Sequence, residues 1–428
     1  MRMFSRSFSS PRAALIDSDL KAHFIDFRKD GTPGSGKGKP PTDGNLYLDS
    51  TINWSADGLK SVVLHEIGHT LGLGHSTNPL SIMYPYSKSG PVVSGNLDSE
   101  TIQALQGMYG WLPQQCLSDR ASTDGPSLAY VVEPSLSGSG LTQVFMVWTG
   151  SEGDSSIYFS SSNDGLSWSP QQPISGVGSS IGPSLATFHP PSSDGDSRVG
   201  LIMAWKGVGD DSSIWWSVNT TLQVDGWAEQ QRLDVGTSSR PSIVEFNHQI
   251  ALAWKGAGND SSIWWTKRGS NGQWEPQKQI AGRGTSCGPT LIFYAGQLHM
   301  FWKGIDGDSN VYHAVLIDEL NEIWGPQEVV TFTDAGNLNS GESPVCIGTQ
   351  SELSATVHGQ EIVLAWRGIP GDDSLWFSRF NKNLPLEGQI SIPNVGSAAG
   401  PSVTDVSGRL VLAWRGVGGD RNLWVSRL

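Results

Sequence analysis

The amino-acid sequence predicts a multidomain chain: a small α/β (α+β) domain over residues 1–110, followed by an all-β six-bladed propeller over residues 111–428. Three observations carry this. The counts of 18 Trp, 52 Gly and 24 Pro point to many short strands joined by tight turns, with aromatic side chains as the main core mass. After Gly110 the chain repeats itself at intervals of about 50 residues, the period of blades and solenoids. Before Gly110 the helical spacing of Leu59, Val62, Val63 and Ile67, with Ser55 and Asp57 ahead of it, predicts a helix over 58–71.

Charge and composition exclude several function classes. The net charge is −13, and since residues 1–110 carry 10 basic and 10 acidic side chains, all of it falls on the second domain. An acidic domain without a Lys/Arg run cannot supply the cationic contacts that dominate binding to a phosphate backbone, so nucleic acid is not an expected partner. No apolar run approaches the roughly 20 residues of a membrane span. Cys116, Cys287 and Cys346 are too few and too scattered for a disulfide framework. The triplets at Asn53, Asn219 and Asn259 would accept N-glycans in a secreted chain. The N-terminus, with Arg2, Arg6 and Arg12, lacks the apolar core of a secretory signal and is expected to begin downstream of a true N-terminus.

The predicted helix carries His65-Glu66-Ile67-Gly68-His69. Residues i and i+4 project from one helical face, so both imidazoles reach one metal ion, with Glu66 beside its open position as a general base. Gly72 is expected to end the helix in a left-handed turn, bringing His75 back as third ligand and leaving a fourth position for water. The full pattern, H-E-x-x-H-x-x-G-x-x-H, is far more specific than its first half.

This stretch, followed by "SIMYP", resembles the matrixin branch of the metzincin zinc proteases, the family of the matrix metalloproteinases. The resemblance covers about residues 15–110 and implies a metzincin-like protease domain with one catalytic zinc on His65, His69 and His75. It implies that Met83 underlies the site in a tight turn, and that Tyr84, Pro85 and Tyr86 wall the substrate pocket. "LDSETIQALQGMYG" is similar to the family's last helix, with Leu97, Ile102, Leu105 and Met108 as its apolar stripe. "AHFIDF" and "GNLYLDSTINW" resemble two strands of its sheet, the second expected as the edge along which substrate lies. The implied activity is peptide-bond hydrolysis by a secreted, extracellular endopeptidase using a zinc-bound water and Glu66 as base. A second, structural zinc is not expected, because His23 is the only histidine before His65 and Tyr47 stands where a ligand belongs; Asp49 matches one acidic position near the family's calcium sites.

The repeat defines the second domain. In six copies a Trp (148, 205, 254, 302, 366, 414) is followed two residues later by Gly, six later by Asp, and ten later by an aromatic. The Gly-rich middle between two β-type runs reads as a hairpin. Each copy follows a Pro-containing start, "GPSL" at 125 and 182, "RPSI" at 240, "GPTL" at 288, "SPV" at 343 and "GPSV" at 400, and precedes a strand such as "WSPQQPI". A unit is therefore four strands. The last stops at Leu428 one strand short, and "WLPQQCL" at 111–117 is expected to supply it from the front, leaving no linker to the helical domain.

The tandem W-K-G pattern resembles propeller lectins of bacteria and fungi, which implies binding to glycans; extracellular matrix-like surfaces are a further expected partner. Trp215, Trp264, Trp376 and Trp424 are candidates to stack on sugar rings, and Lys206 and Lys255 to bond hydroxyls. Against this, a Trp, Gly and Asp present in every blade can serve packing and hairpin capping alone. "SSNDGLSW" at 161 resembles the aspartate box of sialidases with Asn163 in the acidic place; it is a turn motif and implies no sialidase activity. Two other readings stand beside the protease: a propeller lectin with an inactive protease remnant, and a propeller that only docks proteins.

Overall fold

The computed structural model describes residues 21–26, 36–38, 45–71, 73–76, 81–84, 101, 110–133, 141–190, 198–269, 271–333, 345–381 and 384–428. The chain divides into two units, Met1–Trp111 and Leu112–Leu428.

In the first unit, α1 (Ala56–Thr70) begins two residues before its expected start because Ser55 caps it, its hydroxyl accepting the Gly58 N–H at 3.1 Å. The helix ends as Leu71 N bonds Ile67 O and Leu73 N reaches back to Gly68 O, each at 2.9 Å, the second being the long-range bond of a Schellman exit. Gly72, expected at the turn itself, lies outside the described residues, as do Leu97, Ile102, Leu105 and Met108. Val62, with Leu59, Val63 and Ile67, packs the helix onto Leu46 and Leu48.

Those two leucines belong to a three-stranded sheet of β1 (Lys21–Ile25), β2 (Gly36–Gly38) and β3 (Asn45–Asp49), in the order β1-β3-β2. This corrects the reading of "GNLYLDSTINW" as the substrate edge. Its strand, β3, is paired on both sides over residues 46–48, parallel to β1 and antiparallel to β2, so among the described residues it is the central strand and not an edge. The antiparallel outer strand is β2.

The second unit is a six-bladed propeller of six sheets, antiparallel except where Thr331–Thr333 runs parallel to Leu384–Gly396 in the fifth blade. Its first blade runs β5 (Ser127–Glu133), β6 (Leu141–Thr149), β7 (Ser156–Ser162), β8 (Gln172–Gly178). The last takes three strands from Ser402–Arg427 and its fourth from β4 (Gln115–Ala121), with Cys116 opposite Trp424. The ladder thus starts four residues later than 111–117, although Leu112 already bonds Arg427 O and Ser426 Oγ.

Six tryptophans, Trp148, Trp205, Trp254, Trp302, Trp366 and Trp414, are at most 1% exposed. Trp205 lies in one apolar cluster with Val131, Phe145 and Ile157 of the preceding blade, so the repeat residue is what glues neighbouring sheets. A ring of hydroxyls adds register between inner strands. Ser127 Oγ accepts Leu185 N, Ser184 accepts Ile243 N, Ser242 accepts Leu291 N, Thr290 Oγ1 donates to Leu353 O, Ser354 accepts Val403 N, and Ser402 accepts Leu128 N. The ring closes on itself.

The fifth blade departs from the expected start at "SPV". Ser343 and Pro344 lie outside the described residues, Val345–Cys346 pairs with Thr331–Phe332, and the inner strand is Ser354–His358. At the ring position the other blades fill with Gly or Arg before Pro, this blade carries Glu352-Leu353, whose lack of proline hid it.

Candidate metal centre

α1 places His65 and His69 one turn apart, and the chain after Leu73 returns His75 to them. His69 Nε2 lies 3.1 Å from both His65 Nε2 and His75 Nε2. The ligand atoms of all three fall within 4.8 Å of one another. Two nitrogens bound at about 2.0–2.1 Å to a tetrahedral ion stand about 3.3–3.4 Å apart, so the observed spacing fits zinc to within a few tenths of an ångström.

The hydrogen bonds behind the rings decide the protonation. His65 Nδ1 meets Ile82 O at 2.6 Å, and His69 Nδ1 meets Leu73 O at 2.9 Å. A carbonyl has no proton to give, so each Nδ1 carries the hydrogen and each Nε2 presents a lone pair. Lone pairs facing each other at this distance repel unless a cation lies between them. Burial lowers the pKa of His65, outweighing its bond to Ile82 and joined by the charges of His69 and His75; burial and His69 lower that of His75. Both effects favour the neutral, ligating form.

Glu66 follows His65 on the helix and is 5% exposed. Met83 is buried at 2%, packed with Leu73 and Ile82, and stands against Gly68, where a Cβ would come within 2.3 Å of its sulfur. The glycine inside H-E-I-G-H is therefore the space that Met83 fills. Its turn is held by Ser76 N to Met83 O at 2.8 Å, Tyr84 N to Ser81 O at 3.0 Å, and Met83 N to Ser81 Oγ at 3.2 Å. Tyr84 is half-buried; Pro85 and Tyr86 lie outside the described residues. Sequence reasoning missed the Ile82 and Leu73 carbonyls, which any residue type supplies, and the Ser81 hydroxyl.

Three other residues have local roles. His23 and Tyr47 stack, ring centroids 5.2 Å apart, across β1 and β3. Asp49 Oδ1 accepts the N–H and hydroxyl of Thr51 at 2.9 and 2.8 Å, closing the turn after β3.

In the propeller, the repeat aspartates do two jobs. Asp211, Asp260, Asp372 and Asp420 each accept the backbone N–H two residues on at 2.9 Å and the indole N–H of Trp215, Trp264, Trp376 and Trp424 at 2.8 Å. Those four indoles are half-buried and lie opposite the fully buried repeat Trp. Lys206 Nζ bonds Ser180 Oγ and the carbonyls of Gly207 and Gly209; Lys255 Nζ bonds Ser238 Oγ and the carbonyls of Gly256, Gly258 and Asp260. Their polar atoms are engaged within the propeller, which favours the packing and capping role. In the aspartate-box-like turn, Asp164, not Asn163, accepts the Leu166 and Ser167 N–H groups at 2.9 and 2.7 Å.

Between the second and third blades lies a cavity of about 200 Å³ lined by Trp216, Thr220, Glu229, Gln231 and Arg268, among others. The Arg268 guanidinium lies over the Trp216 ring at 4.8 Å, and its Nε donates to Gly272 O. Asn219 nearby is fully buried with its amide bonded to Thr221, Leu222 and Gln223, so its triplet cannot be glycosylated without undoing the turn.

Residues 24–110 match the sequence model of the family Matrixin. Over 117 residues the chain is 37% identical to matrix metalloproteinase-26 of Homo sapiens, covering 24% of this chain and 44% of that protein. It is 37% identical over 106 residues to metalloendoproteinase 1 of Glycine max (22% and 34% of the two chains) and 35% identical over 113 residues to karilysin of Tannerella forsythia (23% and 22%). The chain thus spans less than half the length of each. The propeller is similar in fold to a mutant of AofleA from Arthrobotrys oligospora, TM-score 0.50 at 12% identity over 74% of this chain and 86% of that one. It is equally similar to Penicillium chrysogenum alpha-L-arabinanase complexed with arabinobiose, TM-score 0.50 at 13% identity over 74% and 98%. At such identities the likeness is one of fold. Among the described residues no helix is long and apolar enough to cross a membrane.

Proposed function

We propose that the matrixin domain carried at residues 24–110 makes this chain a zinc-dependent endopeptidase that hydrolyses peptide bonds in proteins outside the cell. The observation that carries the reading is the convergence of His65, His69 and His75 through Nε2, with the Nδ1 atoms of the first two on backbone carbonyls. When bound there, zinc supplies a Lewis acid that polarises the scissile carbonyl and lowers the pKa of a water to about 7. The carboxylate of Glu66 takes the proton from the attacking water and delivers it to the leaving amide nitrogen. Its burial keeps that proton from bulk solvent. The carbonyls of Ile82 and Leu73 hold the imidazoles in one tautomer and one orientation.

Glu66→Ala tests the role of the base. The variant retains zinc near one per chain and loses cleavage of a quenched peptide by about 10²- to 10⁴-fold. Native protein that holds one zinc and cleaves no peptide or protein would refute the endopeptidase reading.

For the propeller, the cavity between the second and third blades favours a glycan-docking role that targets the protease. Its volume suits about one sugar ring, and Arg268, Glu229, Gln231 and Thr220 offer donors and acceptors for hydroxyls. On this reading the glycan-docking surface is the cavity and not the repeat tryptophans. Glu66→Ala protein probed on a glycan array separates the possibilities. Hits lost on Arg268→Ala support glycan docking; an array without hits favours a protein-docking surface. Hits together with an inactive native chain leave a lectin carrying a protease remnant.

A further inference from the structure

Ser81 and Thr101 are buried, 3% and 2% exposed, and their hydroxyl oxygens lie 3.2 Å apart across twenty residues of chain. A hydroxyl is costly to bury unless bonded, and at both positions an alanine or a valine would fill the space without that cost. Ser81 Oγ also accepts the N–H of Met83. The residue between them, Ile82, is the one whose carbonyl holds His65 Nδ1 at 2.6 Å. The hydroxyl pair therefore grips the turn on both sides of the carbonyl that orients a ligand.

We propose that Ser81 and Thr101 are positioning residues of the metal centre: their hydrogen bond pins the turn 81–84 so that the Ile82 carbonyl fixes the tautomer and direction of the His65 ring. This rests on the reading of His65, His69 and His75 as a zinc site. Neither residue touches the metal or a substrate. Loss of a group bonded directly to a ligand typically costs about 10- to 100-fold in metal affinity. One bond further out, the expected loss is about 3- to 10-fold.

The test uses the chain of residues 1–428 and its Ser81→Ala, Thr101→Val and Thr101→Ser variants. Zinc affinity is measured by competition with a chromophoric chelator, and ligand geometry by the visible absorption of the cobalt-substituted protein. Ser81→Ala and Thr101→Val are expected to weaken zinc binding by about 3- to 10-fold and to alter the cobalt spectrum. Thr101→Ser, which keeps the hydroxyl, stays close to native in both. Adding Thr101→Val to Ser81→Ala brings little further loss, because the bond between the two hydroxyls is already gone. If the variants bind zinc within twofold of native with superimposable cobalt spectra, even with a lowered unfolding temperature, the pair is merely structural and the proposal falls. If Thr101→Val does not fold, Ser81→Ala and Thr101→Ser decide, and a Thr101→Ser protein with weakened zinc binding overturns it. A native chain that takes up no zinc overturns the metal-centre reading itself, an outcome distinct from native binding with indifferent variants.

Discussion

Gly68→Ala perturbs the metal centre without touching a ligand, and the structure gives opposing terms for its effect. The new Cβ would stand 2.3 Å from Met83 Sδ, 2.9 Å from its Cε and 3.5 Å from Leu73 Cδ1. Non-bonded heavy atoms rest at about 3.5–4.0 Å, so the sulfur must retreat by more than about 1 Å. Met83 is 2% exposed, so the retreat overpacks the cluster it shares with Leu73 and Ile82, costing about 1–3 kcal/mol. Replacing glycine by alanine inside a helix returns about 0.8–1.0 kcal/mol. Net stability should fall by about 0–2 kcal/mol, too little to unfold the unit. The metal centre should respond more. Met83 N and O are bonded to Ser81 and Ser76, and its neighbour Ile82 holds His65, so a displaced sulfur misdirects a ligand. Chelator competition should show zinc affinity reduced by about 10-fold or more. Shortening Met83 to alanine removes the clash, so Gly68→Ala combined with Met83→Ala should bind zinc no worse than Met83→Ala alone. Gly68→Ala protein that holds zinc within twofold of native and unfolds no earlier would refute the argument that this glycine exists to admit Met83.

Two further outcomes follow from the propeller hairpins. In Gly207→Ala the Cβ would lie 2.2 Å from Asp211 Oδ2, forcing the carboxylate off Ser213 N and the Trp215 indole. A loss of about 2–4 kcal/mol by urea unfolding is expected, against about 1–2 kcal/mol for Gly209→Ala, where φ is +59° and nothing lies within 4 Å. Equal losses at the two sites would show that the carboxylate is not the obstacle. The pKa of Asp211 is lowered by the Trp215 indole and by Ser213, and at Asp260 hydrogen bonds from Ser262 and Trp264 outweigh burial, which acts the other way. A carboxyl depressed on folding contributes stability above its unfolded pKa, and that contribution is lost as pH falls through the folded value. The propeller's unfolding temperature, followed by tryptophan fluorescence, should therefore drop below about pH 4, and less steeply in an Asp211→Asn, Asp260→Asn variant. An identical slope in that variant would rule these groups out.

What the sequence determined by itself was whatever local geometry or repetition writes into residue types. A helix sets His65 and His69 on one face at a spacing of four, and a repeating Trp, Gly and Asp announces six equivalent hairpins, because each hairpin must clear the same carboxylate and bury the same indole. What only the tertiary structure decided were relations between distant backbones. Strand order made β3 central and β2 the outer strand, since pairing depends on which chains meet and not on either composition. The fifth blade hid its inner strand because Glu352-Leu353 keeps the backbone path without the proline that marks it elsewhere. The tautomers of His65 and His69 came from the carbonyls of Ile82 and Leu73, which leave no trace in residue type. The pairing of Ser81 with Thr101 arose the same way: two ordinary hydroxyls acquire a role only when folding buries them against each other.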